Sequence, residues 1–306
     1  MEGILPLWKE PGMTSHDCVF KLRKILHTKK IGHGGTLDPD VAGVLPICIG
    51  KGTKVIEYMV DSGKTYEGEI TLGFSTTTED ASGEIVEKKP LLRALSVQEI
   101  DQAMRKMTGE ITQIPPMFSA VKVNGKRLYE YARNGEEVER PVRKAQIYSF
   151  ERTSEPIFNE ESGTQSWSFR VVCGKGTYVR TLSVDTGERL GFPAHMSKLV
   201  RTASGGLEAK QCLTLDQVAE KMSSETINDF LLPIEVAIKQ FKRIDLSDSL
   251  YEKVKNGVPL TKKELGLVEM PQELVALYYN DQVVSLYMAH PSKKDLLKPS
   301  KVLRNN

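Results

Sequence analysis

No run of about 18 apolar residues, the length a membrane-crossing helix needs, occurs in the 306-residue chain. The N-terminus, Met1-Glu2-Gly3-Ile4-Leu5-Pro6, has neither a basic opening nor an apolar signal core, so export is not expected and a cytoplasmic protein is. Cysteine is scarce: Cys18, Cys48, Cys173 and Cys212 are far apart and form no C-x-x-C pair. That argues against a zinc site or a disulfide framework and for reduced thiols in the core. A strong excess of one charge is missing too; a net +2 says little about partners. No internal repeat or low-complexity segment stands out.

What is present is an ordinary globular composition, 40% hydrophobic and 27% charged, in a chain long enough for a sizeable core and more than one domain. The charge is unevenly placed. Between Cys18 and Leu37 stand Lys21, Arg23, Lys24, Lys29 and Lys30 with His27 and His33, and no acidic residue. Such a patch suits phosphate contacts, or else a solvated helix face.

The stretch that organises the chain is Gly32-His33-Gly34-Gly35-Thr36-Leu37-Asp38-Pro39. Its glycines allow a sharp turn and a close approach to a ligand, and Pro39 biases Asp38 away from helix. The apolar Val44-Leu45-Pro46-Ile47-Cys48-Ile49 run then anchors the loop in the core, so one carboxylate is held on a stiff support.

Around this loop the pattern alternates between strand and helix. A strand ending at Trp8-Lys9 turns at Pro11-Gly12, and a helix starts at Thr14 or Ser15, with Val19, Leu22, Ile25 and Leu26 facing inward. Tyr66, Gly68, Ile70 and Leu72 alternate with polar residues, as do Trp167, Phe169, Val171 and Cys173: two half-buried strands. Thr76–Gly83 reads as a polar loop. Ser96-x-x-Glu99 and Thr214-x-x-Gln217 are capping boxes. The first opens a helix with a Val97, Ile100, Met104 and Met107 stripe, which Gly109 is placed to stop. Residues 113–141 change texture: Pro115-Pro116 precede Lys122, Lys126, Arg127, Tyr129, Tyr131 and Arg133, which read as an inserted, partly mobile element over a binding surface. Gly174–Thr181 is a glycine loop opening a helix that ends near Gly191, and from about Phe241 onward short alternating strands suggest a small β-rich module. The whole reads as α+β with a large mixed sheet and a cleft across it.

Five of these stretches, in order, resemble the motifs of the bacterial tRNA pseudouridine-55 synthase family, the TruB type. They are Lys9-x-Pro11-Gly12-x-Thr14-Ser15, Gly32–Pro39, Lys64-Thr65-Tyr66, Lys175–Thr181 and Ala194-His195-x-x-x-Leu199-x-Arg201. The resemblance covers nearly the whole chain. It departs after Asp38-Pro39, where many members carry an apolar residue and this chain has Asp40.

The resemblance implies the pseudouridine synthase fold, with a mostly antiparallel sheet, a catalytic domain over 1–240, a thumb-like insertion at 113–141 and a PUA-like RNA-binding module over 241–306. It implies isomerisation of uridine 55 in the tRNA T-loop: the C1′–N1 bond is cut, the base turns, and C5 is joined to C1′. The atoms are only rearranged, so no cofactor or metal is expected. The tRNA T-arm is the expected partner, without a membrane or an obligate protein partner, and the chain is expected to be a monomer. Asp38 would act as the catalytic carboxylate, attacking the sugar or removing a ribose proton. Arg180 would keep it charged through a charge-assisted pair, bidentate in its strongest form. Tyr66 would stack on the flipped uracil, with Tyr178 and Leu199 as walls and His33 in the space the base vacates. Lys9, Lys64, Lys122 and Arg201 would be phosphate contacts, which position without specifying.

Two other readings use the same residues. Asp38-Pro39-Asp40 spells the D-x-D of aspartyl-phosphate and metal-dependent transferases, but lacks the apolar strand that leads into the first Asp there. A non-catalytic RNA-binding or RNA-folding protein would use the same basic surface, yet would have no need of a buried carboxylate.

Overall fold

A computed structural model of the chain describes residues 1–305. Its main sheet has ten strands. The path across it runs Gly3–Lys9, Ala42–Ile49, Ala194–Ser204, Lys64–Leu72, Thr164–Cys173, Arg143–Arg152 and Gly109–Gln113. Neighbours pair antiparallel, except that Ala194–Ser204 meets Ala42–Ile49 in parallel, at Val200 to Ala42 and Arg201 to Gly43.

The alternation read from the sequence sets which faces are buried. On Thr164–Cys173, Trp167, Phe169, Val171 and Cys173 are all buried, whereas Arg170 points out. They pack with Ile70, Leu72, Ile147 and Phe150, with Ile100 and Met104 of the helix Val97–Arg105, and with Met107 in the turn just after it. Val97, expected in that stripe, is exposed because it is the first helical residue and lies beyond the edge of the core. The helix ends before Gly109, which instead opens the next strand.

The first helix, Ser15–Ile25, starts at a Thr14–Asp17 capping box. It lays Cys18, Val19 and Leu22 on the other part of the core, against Leu5, Leu7, Leu45 and Ile47. The stretch between Gln113 and Arg143 is an excursion between two antiparallel neighbours, holding a two-stranded ribbon at Lys122–Arg127 and the helix Leu128–Asn134. Val121 and Leu128 are its buried anchors. A separate five-stranded sheet, from Lys242–Asp245 to Leu296–Val302, forms a curled β module with its own apolar cluster. Among the described residues no helix is long and apolar enough to cross a membrane.

Candidate active site

The Asp38 loop is held on both sides by residues from distant motifs. Ser15 Oγ accepts the Leu37 N–H at 2.9 Å. Lys9 Nζ donates to the carbonyl oxygens of Glu10, Met13 and Pro39 at 3.0, 2.8 and 2.8 Å. The Arg201 guanidinium donates to Val44 at 2.8 Å, Thr36 at 3.1 Å and Gly35 at 3.2 Å. Every acceptor of the two cations is a backbone carbonyl, so the loop's shape, not its side-chain chemistry, is what they fix. Gly43, just past the loop, has φ +137°, and a Cβ there would lie 2.3 Å from the Arg201 carbonyl oxygen. Only glycine lets the two parallel strands approach this closely.

Arg180 reaches Asp38 from the first turn of the helix Val179–Leu190. Its Nε lies 3.0 Å from Asp38 Oδ2. Its other two nitrogens donate to the carbonyl oxygens of Thr78 at 3.0 Å and Phe118 at 2.9 Å. The pair is the charge-assisted contact that the resemblance implies, in single-point and not bidentate form, because the fork's ends are engaged by two loops. The guanidinium acts as a three-way strut among the Asp38 loop, the Thr76–Gly83 loop and the root of the excursion.

Asp38, Tyr66, Tyr178, Arg180, Leu199 and Lys64 line one cavity of ≈ 360 Å³. That is within the range of small-ligand pockets and suits one nucleoside. The Asp38 side chain keeps 41% of its surface open. Burial raises its pKa above the usual carboxylate value, with Arg180 and Lys9 pulling it down and Asp80 pushing it up. Tyr66 is nearly buried, and burial raises its phenol above 10, so it is neutral at pH 7. Among the described residues no three His, Cys, Asp or Glu side chains gather as a metal-binding group.

Other residues named from the sequence lie elsewhere. His33 is on the strand Ile31–His33, outside the cavity lining, and burial lowers its pKa, leaving the ring neutral. Lys122 is exposed on the excursion's ribbon and open to a phosphate. Lys64 is 9% exposed, bonded to the Val60 and Ser62 carbonyl oxygens while its stem lines the cavity. Lys9 and Arg201 correct the phosphate-contact expectation: both are 0% exposed with their donors on carbonyl oxygens, so neither faces an RNA backbone. Asp40, the departure from the usual motif, is exposed and leaves the turn intact.

Three contributors were not singled out from the sequence. The Thr76–Gly83 loop, read only as polar, supplies the Thr78 carbonyl; it is shaped by Asp80 Oδ1, which accepts from Thr78 Oγ1 and Ser82 Oγ, both at 2.6 Å. Glu79 accepts from Thr181 Oγ1 at 2.8 Å, and burial raises its pKa. Gln113 meets the backbone of Tyr178. The only sequence signal for the loop was its Asp and hydroxyl content, typical of side chains that bond their own backbone.

Comparison with known proteins gives the family. Residues 23–179 match the model of the TruB family pseudouridylate synthase N-terminal domain, and residues 180–239 that of the tRNA pseudouridylate synthase B C-terminal domain. The tRNA pseudouridine synthase B of Listeria innocua is 56% identical over 303 residues, covering 99% of this chain and 98% of its own. That of Bacillus pumilus is 53% identical over 304 residues, at 99% and 98% coverage. Among solved structures, a chain of a Cbf5-Nop10-Gar1 complex aligns with TM-score 0.75 and 28% identity, over 99% of this chain and 85% of that one. A chain of an H/ACA RNP bound to a substrate RNA containing 2′-deoxyuridine aligns with TM-score 0.73 and 26% identity, over 99% and 85%. With two family models and full-length relatives in agreement, the chain belongs to the TruB family of pseudouridylate synthases.

Proposed function

We infer that the chain isomerises uridine to pseudouridine in tRNA, and that its target is uridine 55 of the T-loop. The observation that carries this reading is the Asp38–Arg180 pair in the wall of a nucleoside-sized cavity with Tyr66, Tyr178 and Leu199. A base paired within folded RNA must leave its stack to enter such a cavity. Tyr66 then offers a ring to the displaced uracil, and Leu199 and Tyr178 exclude water around it.

Asp38 supplies the negative charge the reaction needs. It either attacks C1′ as the N1 bond breaks or removes a ribose proton. In both routes the freed uracil turns in the cavity and C5 joins C1′, which expels the Asp38 carboxylate in the first and is followed by return of the ribose proton in the second. The C5 proton then leaves and N1 takes one up. Arg180 favours the ionised form of Asp38 against its burial and sets its direction. The neutral Tyr66 phenol can give a proton to the base, and only the phenolate left behind could take one back. Lys122, with the aromatic-flanked cations Lys126, Arg127 and Arg133 on the excursion, is the external phosphate surface. Residues 1–240 are taken as the catalytic domain and 241–306 as the accessory RNA-binding module, with the chain working as a monomer.

The test is tritium release from a tRNA transcript carrying 5-tritiated uridine, in EDTA, with wild type and Asp38→Asn side by side. Release by wild type alone is expected. Release by both would remove Asp38 from the chemistry, and release from a transcript lacking uridine 55 would overturn the T-loop assignment.

A further inference from the structure

Gln113 closes the strand Gly109–Gln113 at the root of the excursion and is 2% exposed. Its side-chain amide meets the backbone of Tyr178 in both senses. Oε1 accepts the Tyr178 N–H at 3.0 Å, and Nε2 donates to the Tyr178 carbonyl oxygen at 3.0 Å. The contact is strand-like, with an amide side chain standing in for a peptide group.

Tyr178 is the N-cap residue of the helix Val179–Leu190, and its own side chain makes no capping bond. Helix starts are usually fixed by a local Ser, Thr, Asp or Asn. Here the fixing group comes from 65 positions away in sequence. The same pair of bonds therefore sets the Tyr178 ring in the cavity wall and the direction in which the helix leaves. Arg180, two residues on, inherits that direction, and its Nε is the atom beside Asp38. Gln113 does not line the cavity, so any influence on the reaction passes through Tyr178 and Arg180.

We propose that Gln113 is a positioning residue for the isomerisation, its amide holding Tyr178 and the start of the Arg180 helix in register with Asp38. The inference rests on the assignment of Asp38 and Arg180 to the chemistry. Both senses of hydrogen bond are needed, which singles out an amide. A methionine fills the same volume and does neither. A glutamate does both only while its carboxyl is protonated, a form that burial favours.

The experiment is single-turnover tritium release with the full-length Gln113→Met and Gln113→Glu proteins, corrected for folded fraction by circular dichroism and paired with tRNA binding. Gln113→Met is expected to slow turnover on the order of 10- to 100-fold, the usual cost of a small misplacement. Its Kd for the transcript is expected within about threefold of wild type, since phosphate contacts lie elsewhere. Gln113→Glu is expected to be faster than Gln113→Met at low pH and to lose rate as pH rises through the new carboxyl's titration, with an unchanged folded fraction. The proposal is overturned if Gln113→Met turns over within about twofold of wild type, well short of that positioning cost. It is overturned equally if Kd rises in step with the rate loss. Should Gln113→Met fail to fold, the pH limb of Gln113→Glu decides, and its absence overturns the proposal. Activity of Asp38→Asn would instead sink the underlying assignment, whatever Gln113 does.

Discussion

The Lys9 ammonium lies 2.8 Å from the carbonyl oxygen of Pro39, the residue that follows Asp38, and no part of Lys9 reaches solvent. Burial lowers its pKa, and the Asp38 and Asp40 carboxylates pull it back up. A cation in this position shapes the loop instead of meeting RNA. Lys9→Met leaves three carbonyl oxygens without their donor and is expected to cost about 2–4 kcal/mol of stability in urea denaturation. The salt dependence of tRNA binding is expected to be unchanged. Lys122→Ala is expected to do the opposite, keeping stability and lowering the salt slope by about one. Binding titrations across a salt series separate the two, and a reduced slope for Lys9→Met would return it to the RNA surface.

Gly43 is a second point at which the loop depends on backbone. With φ at +137° and the Arg201 backbone pressed against it, an added methyl has nowhere to go. Gly43→Ala is expected to destabilise by about 2–4 kcal/mol, combining strain and steric displacement. Because Arg201 also braces Gly35 and Thr36, turnover should fall further than the folded fraction does. Urea denaturation and tritium release on the same preparation check this; a folded variant with wild-type turnover would uncouple Arg201 from the loop.

These two positions show where a sequence is legible and where it is not. The helix start at Thr14 or Ser15, the inward row Trp167, Phe169, Val171 and Cys173 and the Gly191 stop are local, and local spacing carries them. Asp38 beside Arg180 was accessible only through resemblance, as 142 residues separate them. The struts are a harder case, because Thr78, Phe118 and Pro39 contribute carbonyl oxygens that every residue possesses. Nothing in residue type distinguishes Lys9, turned inward onto such carbonyls, from Lys122, turned outward. Gln113 was hidden for a related reason: an amide pairing with a distant backbone has no local pattern.

Asp185 lies on the helix that carries Arg180, where burial and the nearby Glu188 and Glu79 push its carboxyl up to about 7. In the unfolded chain it ionises near 3.8, so the native state holds its proton more tightly. Native ionisation is therefore unfavourable, and this group's penalty grows as pH rises from about 4 to about 7 and is level above that. Asp185→Asn is expected to remove it, stabilising the protein by about 1–3 kcal/mol at pH 8 once partial solvent access is allowed for. Near pH 4 the gain should vanish. Thermal melts of both proteins across that pH range test the sign, and a gain that shrank with rising pH would contradict it.

Arg180→Lys keeps a positive charge but cannot keep three directions at once. A single ammonium on a flexible stem replaces nitrogens aimed separately at Asp38, Thr78 and Phe118. Turnover is expected to fall on the order of 100-fold, with tRNA affinity little changed, since the side chain is 7% exposed and its three nitrogens are all engaged within the protein. The pH profile carries the more specific signature. Asp38 must be ionised to act, burial already raises its pKa, and Arg180 is the largest force holding it down. Weakening that attraction moves the carboxyl higher, so the acid limb of the single-turnover rate should shift to higher pH in Arg180→Lys. A slower enzyme with an unmoved acid limb would mean that Arg180 acts on the loops and not on the charge of Asp38.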